Sequence, residues 1–170
     1  ILVSGIIILL AFCLYKPLML NLYKVEYSEY VEKYSEEYGV DKFLVYAIIK
    51  NESNFISEAV SIKEAKGLMQ LMNSTAEELA NKLNIENELY DDEINIQLGV
   101  FYLAELLQRY ENYLIAVAAY NAGIGNVDNW IKDGIIQSDG SDVENIPYKE
   151  TNNYVRKVSR DYKNYRHLYE

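Results

Sequence analysis

The chain has 170 residues, half of them apolar and only two of them Pro, which suffices for one core and favours long uninterrupted helices. Its formal charge is −10, and because Lys16 and Lys24 are the only charges before Glu26, all 26 acids stand against 14 bases from Glu26 onward. That balance argues against nucleic acid as a partner, and a single His with a single Cys gives a transition metal almost no ligands, so neither metal nor cofactor is expected.

Ile1 to Tyr15, ILVSGIIILLAFCLY, carries no charge, and apolar character resumes after Lys16-Pro17 with LMLNLY. A spanning helix needs about 20 apolar residues, so residues 1–24 read as a shortened transmembrane or signal-anchor segment ahead of a domain over 25–170. A cleaved signal peptide would need a small-x-small site, which does not follow the run, and a buried core helix is the plainer alternative. The sole Cys, Cys13, lies in this segment and cannot form a disulfide within the chain.

From Val25 to Tyr38, Tyr27, Tyr30, Val31, Tyr34 and Tyr38 recur at three- and four-residue steps, which predicts an amphipathic helix ended by Gly39. Asp41 is placed to cap a second helix, Lys42 to about Asn51, whose nearly continuous apolar run predicts deep burial. Glu52 stands where that run gives way to polar residues, so a buried helix would deliver an acid at its end. Further on, Gly67-Leu68-Met69-Gln70 pairs a residue that permits close backbone approach with an amide, a suitable wall beside Glu52.

Ser74-Thr75-Ala76-Glu77 matches a capping box for a helix reaching about Leu83. Asp91 or Asp92 would cap a longer helix to Tyr110, followed by a short Ala-rich helix from Tyr113 to Tyr120 stopped near Gly123. Ile124 to Lys132 predicts one or two more turns with Trp130 as a core filler, Asp133 to Ile146 an exposed loop, and Pro147 the start of a final helix. No strand pattern competes with these helices. The 17 Tyr read first as amphipathic core edges and second as rings suited to stacking on sugars.

Four ordered stretches now stand out: Glu52-Ser53-x-Phe55, Gly67-Leu68-Met69-Gln70, Ala119-Tyr120-Asn121-Ala122-Gly123, and Ile146-Pro147-Tyr148-x-Glu150-Thr151-x-x-Tyr154-Val155. Together they resemble the motifs of the soluble-lytic-transglycosylase catalytic domain over about residues 26 to 168. The resemblance implies an all-α, lysozyme-like fold shared with goose-type lysozymes, here preceded by an N-terminal membrane-anchor helix. In the family a Gly often occupies the position of Glu64.

The resemblance further implies cleavage of the β-1,4 bond between N-acetylmuramic acid and N-acetylglucosamine in peptidoglycan, with 1,6-anhydro ends and no water consumed. Glu52 would be the catalytic acid and then base, its pKa raised by an apolar pocket to which Met69, Met72 and Tyr154 could contribute. Ser61 would lie near the N-acetyl group and Gln70 and Met72 in the glycan groove. Tyr120 and Asn121 would serve as contacts or scaffolding, with Tyr154 close to Glu52 and Glu150 nearby. Such an enzyme would be anchored in a bacterial cell envelope with its domain outside the cytoplasm, or secreted if the N-terminal segment is cleaved. Two rivals stand beside it: a goose-type muramidase using Glu58, Glu64 or Asp91 as second carboxylate, and an idle glycan-binding module.

Overall fold

The computed structural model describes residues 14–170, so residues 1–13, with most of the expected anchor, lie outside the described residues. Residues 14–22 are helical; among the described residues no helix is long and apolar enough to cross a membrane. Seven further α-helices come after them: α1 (Ser28–Tyr38), α2 (Lys42–Glu52), α3 (Asn73–Leu83), α4 (Asp92–Tyr110), α5 (Tyr113–Ala122), α6 (Ile124–Lys132) and α7 (Lys149–Tyr169). A 3₁₀ turn over Val143–Asn145 precedes α7, and the described residues contain no strand, only two isolated bridges that join Lys66 to Val60 and to Leu71.

The centre of the molecule is α2. Every residue from Phe43 to Ile49 is buried, because the run offers no polar side chain except the hydroxyl of Tyr46 to any face. Asp41 starts the helix by accepting from the Phe43 N–H, satisfying one of the orphan donors of the first turn. Against α2 lies α7, whose Tyr154, Val155, Val158 and Tyr165 form its buried stripe, while α5 packs between α4 and α7.

A smaller cluster of Leu71, Ala76, Leu79, Ala80, Leu89 and Leu98 forms beside this core, and Tyr102 and Tyr120 pack against both. The molecule is therefore a large helical lobe and a small one built on α3. The long loop from Ser53 to Met72 runs from the end of α2 to the start of α3 and so joins the two lobes.

Several expectations are met at the level of the individual cap. Gly39 ends α1 in the left-handed region, and Asp91 caps α4 by accepting from the Ile94 N–H at 2.9 Å. The capping box is not formed: α3 begins two residues early, at Asn73, and Met72 precedes it with no side-chain cap, so Ser74 lies already inside the helix. Pro147 stands ahead of α7 rather than within it, and Tyr148 is the flanking residue. The segment Asp133 to Ile146 is less exposed than its composition suggests. Ile136 and Ile146 insert into the core, and Asn112 donates to the Asp139 carbonyl at 2.6 Å.

Most of the tyrosines are packing elements. Tyr46 lies between Phe55 and Tyr165, Tyr102 against Tyr120, and Tyr113 against Tyr162, with ring centroids 5.2 to 6.5 Å apart, the range of favourable aromatic pairs.

Candidate active site

Glu52 is the last residue of α2, so seven consecutive buried residues fix where its carboxyl lies. Just beyond it Ser53 turns its hydroxyl inward, donating to the Leu68 carbonyl at 2.8 Å, which ties the end of α2 to the Gly67–Gln70 turn. Asn54 and Phe55 then adopt positive φ, at 50° and 65°. Of seven non-glycine residues with positive φ among those described, four fall at Asn54, Phe55, Glu64 and Gln70, so backbone strain is concentrated in the loop around Glu52.

That loop is held from the other side by Asn95 of α4. Its Oδ1 accepts from the Met69 N–H at 2.8 Å, and its Nδ2 donates to the carbonyls of Lys66 at 3.0 Å and Leu89 at 2.9 Å. Gly67, at φ +78°, leaves space for this amide: a Cβ there would lie 2.0 Å from Asn95 Nδ2. Gly99, one turn along α4, similarly makes room for the Met69 sulfur. The Gly and Met of the second motif are thus explained by how α4 receives the loop.

An open cleft of about 510 Å³ lies over Glu52, and Ser61, Gln70, Met72, Tyr120, Asn121 and Glu150 line it. Tyr154, the remaining residue expected at the site, donates its hydroxyl to Glu52 Oε1 at 2.6 Å. The fold therefore brings together all eight residues singled out from the sequence. Met69 is a correction to the expected apolar lining: it is fully buried and its side chain packs on Gly99, so only its carbonyl concerns the site, held by the Tyr120 hydroxyl at 2.9 Å. Glu58, Glu64 and Asp91, the second carboxylates considered for a hydrolase, are absent from the cleft lining, and Asp91 is occupied as the α4 cap.

Several lining residues spend part of their hydrogen-bonding capacity on the scaffold. Gln70 Nε2 donates to the carbonyls of Ala59 and Gly67, which leaves its Oε1 to the cleft. Asn121 Oδ1 accepts from Thr151, joining α5 to α7 and leaving its amide N–H groups. Ser61 accepts from the Ala65 N–H and keeps its own proton to donate.

The sequence did not single out Ile62 and Lys63. Both lie on the cleft, Ile62 with no protection from solvent at all, and Lys63 sits 3.8 Å from Glu150 with both partners exposed. A β-branched residue beside Ser61, in a loop with no helical period, gives no signal for either position.

Electrostatically, burial pushes the Glu52 carboxyl up to about 7 from an ordinary 4.5; the Tyr154 hydroxyl opposes the rise by favouring the carboxylate, and the negative charge of Glu150 adds to it. Burial and the neighbouring Glu52 keep Tyr154 and Tyr120 neutral, their phenols well above the ordinary range. A half-buried carboxyl that holds its proton near neutrality can give that proton to a leaving oxygen and take one back.

Residues 29–139 match the family described as Transglycosylase SLT domain, a span that holds the first three motifs and stops short of the fourth. The soluble lytic murein transglycosylase of Salmonella typhimurium is 32% identical over 153 residues, which are 86% of this chain and 24% of that protein. The membrane-bound lytic murein transglycosylase C of Edwardsiella ictaluri is 33% identical over 175 residues, covering 84% of this chain and 47% of its own length. Among solved structures, an inactive mutant of the lytic transglycosylase Slt from Pseudomonas aeruginosa superposes with a TM-score of 0.77 at 34% identity, over 84% of this chain and 24% of that one. The chain thus spans about a quarter to a half of the length of the proteins it resembles. This chain belongs to the Transglycosylase SLT domain family.

Proposed function

We propose that the chain is a peptidoglycan lytic transglycosylase that cleaves the β-1,4 bond between N-acetylmuramic acid and N-acetylglucosamine, with Glu52 as acid and then base. The observation that carries this reading is a single carboxyl, at the floor of an open cleft, raised to about 7 by burial and oriented by Tyr154 at 2.6 Å. The relatives that are named as lytic murein transglycosylases support it. So does the name of the Pseudomonas aeruginosa structure, which describes a glutamate-to-glutamine change as an inactive mutant.

In this reading protonated Glu52 gives its proton to the glycosidic oxygen as the bond from that oxygen to C1 of the muramoyl ring breaks. The resulting carboxylate takes the proton of the muramoyl 6-hydroxyl, whose oxygen bonds to C1 and closes the 1,6-anhydro ring. No water enters, and Glu52 ends as it began. Tyr154 binds Glu52 Oε1, so Oε2 is the oxygen left to carry the proton. Ser61, Gln70, Met72, Tyr120 and Asn121 would hold the sugars on either side, the polar ones through the groups their scaffold bonds leave free.

Goose-type hydrolysis is the second reading, and only Glu150 favours it, as the one other carboxylate on the cleft lining. It is exposed and sits at the rim with Lys63. Glu52→Gln and Glu150→Gln assayed on purified sacculi separate the cases. We expect the first to lose at least about 100-fold in turnover, the scale of a lost general acid, with sacculus binding kept, and the second to lose far less. A Glu52→Gln chain that still released soluble muropeptides at the parental rate would refute the assignment, and a parent that bound sacculi and released nothing would make it an idle module.

For location, the reading places the domain outside the cytoplasm, where the polymer lies, tethered through residues 1–22. One of the compared relatives is named membrane-bound and another soluble. The division between tether and domain belongs just ahead of Tyr23, which is 6% exposed and part of the core.

A further inference from the structure

The charge of the molecule is unevenly placed. Between Lys149 and Glu170 six Lys or Arg stand against three acids, while the rest of the chain has ten against 23. A protein of net −10 thus ends in a helix of net positive charge. On α7, Arg156, Arg160 and Lys163 are spaced so that they share the face opposite the buried Tyr154, Val158 and Tyr165. They rim a cleft of about 430 Å³, separate from the catalytic one, whose apolar side is formed by Leu114, Val143 and Val155.

The exposed apolar segment joins the domain at this same place. Leu14, Leu18 and Leu22 are 64%, 58% and 51% exposed and recur every four residues along the helical stretch 14–22. The next residue, Tyr23, is fastened to α7: it donates to Asp161 at 3.0 Å, accepts from Asn164 at 2.5 Å and meets Tyr165 edge-on at 5.2 Å. Tyr165 and Tyr169 then donate to the carbonyls of Lys24 and Tyr23 at 2.9 and 2.7 Å. Arg160 and Asn164, which flank this joint, also line the basic cleft. The helical stretch that carries the exposed Leu residues is therefore fastened at its end to the helix that carries the cationic stripe, with no loose linker between them.

We propose that the outward face of α7 docks on an anionic lipid bilayer, with Arg156, Arg160 and Lys163 over the headgroups beside the apolar N-terminal segment. Charge complementarity selects the occupant: this is the basic face of an otherwise acidic molecule, and it adjoins side chains suited to the acyl boundary. The acidic remainder is repelled from the same surface. The consequence is a fixed posture, because Tyr154 and the catalytic cleft lie on the side of α7 away from the bilayer. The proposal rests on the membrane reading of the N-terminal segment and on nothing in the reaction.

The test is residue-resolved amine labelling of the full chain, with acetylation of each lysine followed by mass spectrometry. It is run with phosphatidylcholine vesicles and with vesicles of equal phosphatidylcholine and phosphatidylglycerol. On the anionic vesicles Lys163 should acetylate roughly fivefold more slowly, the effect of one basic residue held at the surface, while Lys63 at the catalytic cleft is unchanged. The protection should fade as salt shortens the screening length, and it should weaken in Arg156→Gln, a substitution at an exposed site. A chain that binds both vesicles with Lys163 equally reactive overturns the docking face and leaves the tether standing. One that binds neither overturns the tether and the face together. Protection by soluble polyphosphate but not by anionic vesicles would also overturn it and assign the face to a linear polyanion.

Discussion

Between about pH 4.5 and about 7 the carboxyl of Glu52 keeps its proton in the folded chain and loses it in the unfolded one. A raised folded pKa contributes stability that is fully present below about 4.5 and lost as pH rises through about 7, because the unfolded chain gains from ionisation first. The difference of the two values sets an upper limit of roughly 3 kcal/mol on that loss. Glu52→Gln has no proton to lose, so it should be more stable than the parent near pH 8 by up to roughly 3 kcal/mol and no more stable near pH 4, as read by urea unfolding at the two pH values. A gain that is the same at both would mean the carboxyl is not strained by burial. Activity should fall as pH rises through about 7, since the acid form starts the reaction. Tyr154→Phe removes the hydroxyl that favours the carboxylate, so the alkaline limb should move to higher pH, and a limb that stays or moves down would contradict the role assigned to that bond.

The loop from Ser53 to Met72 marks where local sequence pattern stops predicting structure. Helix α2 was readable because seven adjacent apolar residues end at one carboxylate, and α7 because its aromatic and Val positions keep a helical period. The loop has no period. Its shape comes from Asn95, 26 residues beyond Met69 in the chain, and nothing in the local pattern of α4 marks that amide as the loop's anchor. The box at Ser74–Glu77 failed because the preceding loop already turns at Met72, so the first helical turn starts before the Ser.

Two substitutions probe the loop directly. Gly67→Ala combines a positive φ with a Cβ 2.0 Å from Asn95 Nδ2, and should cost at least about 2 kcal/mol together with most of the activity, measured as a shift in denaturation midpoint and as muropeptide release. Glu64, at φ 65° and exposed, takes a left-handed backbone conformation that Gly adopts without steric cost. Glu64→Gly should therefore stabilise by up to about 1 kcal/mol or be neutral; a clear loss of stability would show that the Glu side chain is needed there.

For the whole molecule, the tyrosines that pin Tyr23 and Lys24 to α7 make the N-terminal junction part of the domain. A chain shortened to begin at Val25 removes a core aromatic and leaves buried Asp161 without one of its donors, so it should unfold at lower temperature than one beginning at Asn21, by several degrees. Equal melting temperatures would release the junction from that role. In the proposed reaction a hydroxyl already tethered to the muramoyl ring would outcompete bulk water, because its effective concentration is far higher. Mass analysis of muropeptides released from purified sacculi, before and after borohydride treatment, tests it most directly. Products should be lighter than hydrolysis products by one water and resistant to reduction, and a digest dominated by reducible muramoyl ends would make the chain a hydrolase instead.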